Sequence, residues 1–102
     1  MQKIKRYILP LDQPNFGLDI PLGSKILSIG SDSSPGELAE GILTAFIYVR
    51  INPEADYADR RFFIAKEEQN LPDLENGRHY KFIGSITIMR QHFHLFEIYA
   101  RL

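Results

Sequence analysis

The spacing of the apolar residues constrains the fold of this chain more than any other feature. Apolar residues alternate with polar ones or run in short blocks rich in Ile, Val, Phe and Tyr. A period of two in β-branched and aromatic residues is typical of β-strands, and no long segment has the period of an amphipathic helix. Six stretches are therefore predicted to be strands: residues 3–9, 25–30, 42–51, 61–66, 79–88 and 92–101.

Turn-forming residues separate these stretches, and two of the gaps predict a short helical turn. Ser34-Pro35-Gly36-Glu37 has the spacing of a helix-capping box, with proline at the first helical position, in a run that ends at Gly41. Residues 52–60 have room for one turn around Pro53. Residues 67–76 are acidic and polar, so we expect a long surface connection there.

The third predicted strand indicates how the sheet is covered. One face of this strand is wholly apolar, with Leu43, Ala45, Ile47, Val49 and Ile51. The other face is mixed and includes Phe46 and Tyr48. Strands that are apolar on both faces require cover on both sides, which predicts a small antiparallel six-stranded barrel or a two-layer sandwich. An oligomer interface or a bound ligand would be a further way to cover the second face.

Length and composition indicate one globular domain spanning residues 1–102. The chain has 102 residues, of which 44% are hydrophobic and 25% are charged.

Gly84, among the bulky residues of the fifth predicted strand, predicts a bulge, a sharp bend or the close packing of another chain.

Charge and cysteine content exclude several classes of function. Twelve Lys and Arg against thirteen Asp and Glu give a net charge of −1, which disfavours a globally basic nucleic-acid binder but allows a local basic patch. The absence of cysteine excludes disulfides, thiolate metal sites and cysteine nucleophiles. No apolar run reaches the roughly 18 residues of a membrane span, and the residues before Pro10 do not predict a signal peptide. We therefore expect a cytoplasmic protein without a membrane partner.

The sequence contains no catalytic pattern. Residues 30–36 are rich in Gly and Ser but lack the Gly-Lys-Ser/Thr that completes a phosphate-binding loop. No Gly-x-Ser-x-Gly elbow is present, and the acidic residues crowd into loops. No catalytic residue and no cofactor are predicted.

The candidate ligand-binding residues lie on three predicted strands. Tyr48 and Arg50 belong to the third strand and Arg61 begins the fourth. If those strands pair, the three residues line one region with His92 and His94, offering aromatic faces to a base and cations to phosphates. We predict that these five residues bind a small anionic ligand. The alternative for Arg61 is that it balances the acidic loop before it.

The pair His92-x-His94 also allows a metal site. Residues i and i+2 of a strand point the same way, so two imidazoles are able to share one ion. The alternative, which we prefer, is that both are sheet histidines packed among aromatic neighbours. No metal ligand is therefore predicted.

A second basic patch is formed by Lys3, Lys5, Arg6 and Lys25. Positive charges at these places also protect a sheet edge against aggregation. Both interpretations remain open at the level of sequence.

Several segments, in the same order, carry a resemblance to a known family. They are an opening strand with Lys3-Ile4, Tyr7 and Leu9, then Ile20-Pro21-Leu22-Gly23-Ser24-Lys25-Ile26-Leu27-Ser28-Ile29, Arg61-Phe62-Phe63-Ile64, Tyr80-Lys81-Phe82-Ile83-Gly84-Ser85 and His94-Leu95-Phe96-Glu97. With them the chain resembles a family of small uncharacterised domains encoded mainly by phages and prophages. The resemblance implies a phage or prophage origin and a compact β domain, and it implies no activity. The chain departs from the family at residues 31–41 and 66–70, so nothing that resides in those loops carries over.

We therefore expect a non-catalytic binding protein of phage origin, acting in the host cytoplasm as a counter-defence inhibitor. Its partner would be a host protein or a small anionic ligand such as a nucleotide-type signal, and nucleic acid is disfavoured as a partner. One alternative is a structural virion or assembly component that forms symmetric oligomers. Another is a metal-binding protein built on His92 and His94. Under each of the first two hypotheses we expect a homo-oligomer.

Overall fold

The computed structural model describes residues 1–32, 44–88 and 90–100. The elements in these ranges are seven β-strands, which confirms the prediction of an all-β chain. They are β1 (Lys3–Ile8), β2 (Asn15–Pro21), β3 (Lys25–Asp32), β4 (Thr44–Ile51), β5 (Tyr57–Lys66), β6 (Arg78–Ile88) and β7 (Gln91–Ala100). Within these ranges no helix has the length and hydrophobicity needed to cross a membrane.

The strands form two antiparallel sheets. Sheet A has the order β1-β4-β3, and sheet B has the order β2-β5-β7-β6. One hydrophobic core joins the two sheets, because Ile47 and Val49 of β4 lie in the same buried cluster as Phe62 of β5 and Leu95 of β7. The architecture is a two-layer sandwich and not a closed barrel.

The alternation along β4 shows why these residues form the core. Ala45, Ile47, Val49 and Ile51 are at most 1% exposed, whereas Tyr48 and Arg50 between them face solvent. From sheet B, Phe62 of β5 contributes its ring to the core, stacked on Phe16 at 5.5 Å. Burying an apolar side chain of this size contributes roughly 1.5–3 kcal/mol.

The outer face of sheet B is covered by the chain itself. Phe63, Ala65 and Ile98 form a second buried cluster there, and Leu74 packs against it. The Tyr80 hydroxyl donates a hydrogen bond to the carbonyl oxygen of Pro72 at 2.6 Å. The connection between β5 and β6 therefore folds back over sheet B, which explains why β5 and β7 are apolar on both faces.

One prediction about a strand and one about a helical turn were wrong. β2 was not predicted, because Pro14, Gly17 and Pro21 indicate a loop; β2 is an edge strand with Pro21 at its last position, where proline is tolerated. The helical turn predicted in residues 52–60 is absent, since the Ala55 amide bonds the Asn52 carbonyl at 3.1 Å in a tight turn and β5 begins at Tyr57. The helical turn predicted at residues 34–41 lies outside the described residues, as do residues 42, 43 and 101 of the predicted strands.

Gly84 lies at a bulge, as predicted. The register between β6 and β7 shifts between Phe82 and Gly84, which leaves Ile83 as the extra residue. A Cβ at Gly84 would lie 2.6 Å from Cγ2 of Ile29 on β3. The missing side chain therefore lets β6 of sheet B approach β3 of sheet A at this edge of the sandwich.

Candidate functional site

The structure divides the five predicted ligand-binding residues between the two sheets. Tyr48 and Arg50 lie on β4 in sheet A, whereas Arg61 lies on β5 and His92 and His94 lie on β7 in sheet B. β4 pairs with β1 and β3, and β5 pairs with β2 and β7. The assumed pairing of the third and fourth predicted strands is therefore wrong, and the five residues do not line one region.

Tyr48 and Arg50 belong to a surface that we call the outer face of sheet A. Residues directly opposite one another on neighbouring strands share a face of the sheet. Three cross-strand rows result: Ile4–Arg50–Lys25, Arg6–Tyr48–Ser28 and Ile8–Phe46–Gly30. Successive rows are two residues apart along β1 and β4, a spacing of roughly 7 Å. On β3 a register shift between Ile26 and Ser28 adds one residue between the first two rows.

Contacts with Gly30, Arg6 and Tyr48 hold the ring of Phe46 on this face. A Cβ at Gly30 would lie 3.0 Å from Phe46 Cε2, so the missing side chain makes room for the Phe46 ring. The guanidinium carbon of Arg6 lies over that ring, 4.6 Å from its centroid. Tyr48 meets Phe46 edge to face at 5.2 Å and is 36% exposed. Phe46 is thus buried, and Tyr48 is the ring that faces solvent.

The charge of the outer face of sheet A is positive. Arg6, Arg50 and Lys25 occupy three of the nine positions in the three rows, and none of the nine holds Asp or Glu. Asp32, opposite Thr44, holds the next position of β3 on the same face. In the part of the chain that the structure describes, the ion pairs involve other residues, and none of these three cations has a carboxylate partner. A surface of this kind attracts anions.

The sequence places Phe46 and Tyr48 on one face of a strand, but it did not predict that Arg6 lies beside them. Arg6 had been grouped with its neighbours Lys3 and Lys5, but the register places those lysines opposite Ile51 and Val49, on the other side of β1. The period of two along β1 was a usable signal for that separation. The pairing of β1 with β4 could not be predicted from the sequence, because the two strands are distant in the chain.

Arg61 is held by polar neighbours on the outer face of sheet B. Its guanidinium donates a hydrogen bond to Asn15 Oδ1 at 3.1 Å and lies 3.7 Å from the Asp59 carboxylate. It also lines a pocket of about 260 Å³ that includes Asp73 and Glu75. These contacts favour the alternative that Arg61 balances nearby acidic residues.

His94 forms a chain of hydrogen bonds with Ser85 and Glu67. The distances are 2.6 Å from Ser85 Oγ to His94 Nδ1 and 2.6 Å from His94 Nε2 to Glu67 Oε2. An ionised carboxylate only accepts, so Nε2 donates to Glu67, and Nδ1 of a neutral imidazole accepts from Ser85. The hydrogen bond from His94 lowers the pKa of the Glu67 carboxyl below its usual value.

A hydroxyl, an imidazole and a carboxylate in series also occur in nucleophilic catalysis. Here the adjacent pocket, of about 260 Å³, is lined by Lys66, Glu67, Arg90, Gln91 and His92. A substrate in it would meet His92 rather than Ser85. We therefore assign a structural role to the hydrogen bonds between Ser85, His94 and Glu67: they connect the turn after β5 to sheet B.

The alternative of a metal site at His92 and His94 gains no support from the geometry. Each imidazole directs Nδ1 at a hydroxyl, Thr87 at 2.9 Å and Ser85 at 2.6 Å respectively. Across residues 1–32, 44–88 and 90–100, no three His, Asp or Glu side chains cluster closely enough to hold a metal ion.

A third concave region lies where β3 and β6 approach each other. This cleft has a volume of about 230 Å³ and is lined by Ser24, Lys25, Ile26, Arg60, Lys81, Phe82, Ile83 and Glu97. The guanidinium of Arg60 binds both carboxylate oxygens of Glu97 in it. The charge of Arg60 is therefore already neutralised, which leaves Lys25 and Lys81 as the remaining cations that line the cleft.

Comparison of the chain with known protein families, with curated proteins and with solved structures finds no match.

Proposed function

We propose that this protein is a non-catalytic binding protein that holds an anionic ligand on the outer face of sheet A. The observation that carries the proposal is the grouping of Arg6 and Arg50 around the exposed ring of Tyr48. Guanidinium groups recognise phosphate in a planar, bidentate geometry. An exposed aromatic ring adds a stacking surface for a flat group.

These two chemistries together fit a nucleotide unit, which carries both a phosphate and an aromatic base. The sequence resemblance to phage and prophage domains supports a phage origin. A phage protein with such a face would act inside the host cell on a host signal or a host macromolecule. Inhibition of a host defence is the purpose we propose for it.

The test is a titration of the ¹⁵N-labelled protein with adenosine monophosphate, followed by NMR. We expect the amide shifts to concentrate at Arg6, Tyr48 and Arg50, and Arg50→Ala to weaken binding about tenfold, as expected for loss of a charged hydrogen bond. Arg78→Ala, on β6 of sheet B, is the matched control and should leave the affinity unchanged. Shifts confined to the cleft around Arg60, or no shifts at all, would rule the proposal out.

A second candidate function is a structural component that self-assembles through the same face. Ile4 and Ile8 on the edge strand β1 are 63% and 68% exposed, which is unusual for isoleucine. A second copy of the chain would bury both. Light scattering that reports a dimer, with dissociation in Ile8→Lys, would favour this candidate over ligand binding.

A further inference from the structure

The outer face of sheet A is open rather than concave. Ile4, Ile8 and Tyr48 reach solvent from different rows and two strands, so a bound molecule would lie across the sheet. Small ligands generally bury most of their surface in a pocket. An open face encloses little of a free nucleotide, and a tight ligand must therefore gain its contacts over a larger area.

A chain of nucleotide units meets that requirement. The rows repeat at roughly 7 Å along β1 and β4, so one polymer is able to contact several rows at once. Each contact is weak, but contacts along one molecule add without a new entropic cost of association.

The cations are distributed in a way that suits a sugar–phosphate backbone. Arg6 lies in the central row on β1, whereas Arg50 and Lys25 lie in the first row on β4 and β3. Three separate positive charges match successive phosphates better than a single phosphate group. Glu67, Asp73 and Glu75 lie on the side of sheet B, and Asp32 lies beyond the three rows, so the rows themselves hold three positive and no negative residues.

Tyr48 is placed to stack on an unpaired base. Its cross-strand neighbour on β3 is Ser28, and the next position along that strand on the same face is Gly30. A Cβ at Gly30 would lie 3.6 Å from Tyr48 Cε2, so the ring extends over the β3 backbone at Gly30, and it is 36% exposed to solvent. A duplex hides its bases within the stack, so this ring favours a single strand.

We infer that the outer face of sheet A binds single-stranded nucleic acid, with Tyr48 stacking on a base and Arg6, Arg50 and Lys25 holding phosphates. The inference rests on the proposed function and names its ligand as a polymer. Recognition is tolerant of sequence, because stacking and phosphate contacts do not read base edges.

The test is fluorescence anisotropy with fluorescein-labelled dT12, dT3 and a 12-base-pair duplex, beside unlabelled adenosine monophosphate. We expect dT12 to bind at least tenfold more tightly than dT3, and more tightly than the duplex. Three phosphates held by three cations predict a slope of log K against log salt of about −2.

Variants separate stacking from charge. Tyr48→Ala should weaken dT12 binding about tenfold without changing the salt slope, and Tyr48→Phe should restore it. Arg50→Ala should weaken binding and reduce the slope by about 0.7. The control Arg78→Ala should bind like the wild type, and circular dichroism of each variant checks that it is folded.

The outcomes distinguish the inference from the function beneath it. If adenosine monophosphate shifts the amide signals of the outer face of sheet A and dT12 binds no more tightly than dT3, the inference is wrong and the proposed function stands. If the duplex binds more tightly than dT12, or Tyr48→Ala has no effect, the inference is also wrong. If no anion binds, both are wrong.

Discussion

The guanidinium of Arg60 binds the carboxylate of Glu97 through two hydrogen bonds of 2.6 and 2.7 Å, in a partly buried position between the sheets. A third donor of Arg60 reaches the backbone carbonyl of Ser24, whose hydroxyl donates to the carbonyl oxygen of Pro21. One arginine on β5 thus connects β7 to the turn that leads into β3. Because that turn leads from sheet B into sheet A, the ion pair helps to fix how the two sheets meet.

Glu97→Ala should therefore destabilise the fold. It leaves Arg60 partly buried without its carboxylate, and we expect a loss of about 2 kcal/mol, less than for a fully buried pair. Urea denaturation measures the loss as a lower midpoint with an unchanged slope. Asp59→Ala, which removes an exposed carboxylate 3.7 Å from Arg61, is the control and should change stability little. Equal effects of the two substitutions would contradict a special role for Glu97.

Gly84→Ala should be destabilising because its new Cβ would overlap Ile29. The Cβ would lie 2.6 Å from Ile29 Cγ2, closer than real Cβ contacts. Overpacking of this kind costs about 1–3 kcal/mol, and thermal unfolding should show it as a lower melting temperature. Ile29→Ala removes the colliding methyl group, so the double variant should be less destabilised than the sum of the two single variants. Additive losses would show that the bulge, rather than the clash, requires glycine.

Stability should depend on pH through Glu67 and His94. The hydrogen bond from His94 holds the pKa of Glu67 below its usual value. The pair therefore stabilises the fold above the pKa of glutamate in the unfolded chain, and this contribution is lost as the pH falls through the lowered pKa. We expect the stability difference between wild type and Glu67→Gln to shrink as the pH is lowered from about 7 to about 3. Urea midpoints across this range measure it, and a difference independent of pH would contradict the assignment.

The sequence predicted what depends on local patterns and failed where distant strands must find each other. The alternation at Ala45, Ile47 and Val49 determined the buried face of β4, and it also placed Tyr48 and Arg50 together on the opposite face. Arg6 joins them only because β1 pairs with β4. That pairing depends on the topology of the whole chain, and no short-range pattern carries it.

β2 shows the opposite failure, in which local chemistry pointed the wrong way. Pro14, Gly17 and Pro21 are turn formers, yet Gly17 lies inside β2 opposite Arg61. An edge strand has only one neighbour to pair with, so it tolerates residues that a central strand excludes. The position of a strand in its sheet cannot be determined before the sheet is known.

Ile8→Lys tests the proposed face by adding a charge instead of removing one. Ile8 is 68% exposed in the row of Phe46, so the substitution should leave stability nearly unchanged. A fourth cation on the face should tighten dT12 binding several-fold and steepen the salt slope from about −2 to about −3. Leu22→Lys is the matched control, because Leu22 is 57% exposed in the turn between β2 and β3 and lies off the face. If both substitutions tighten binding equally, the effect comes from net charge and not from the face. If Ile8→Lys instead dissociates a dimer and leaves dT12 affinity unchanged, the outer face of sheet A is a contact between copies of this chain.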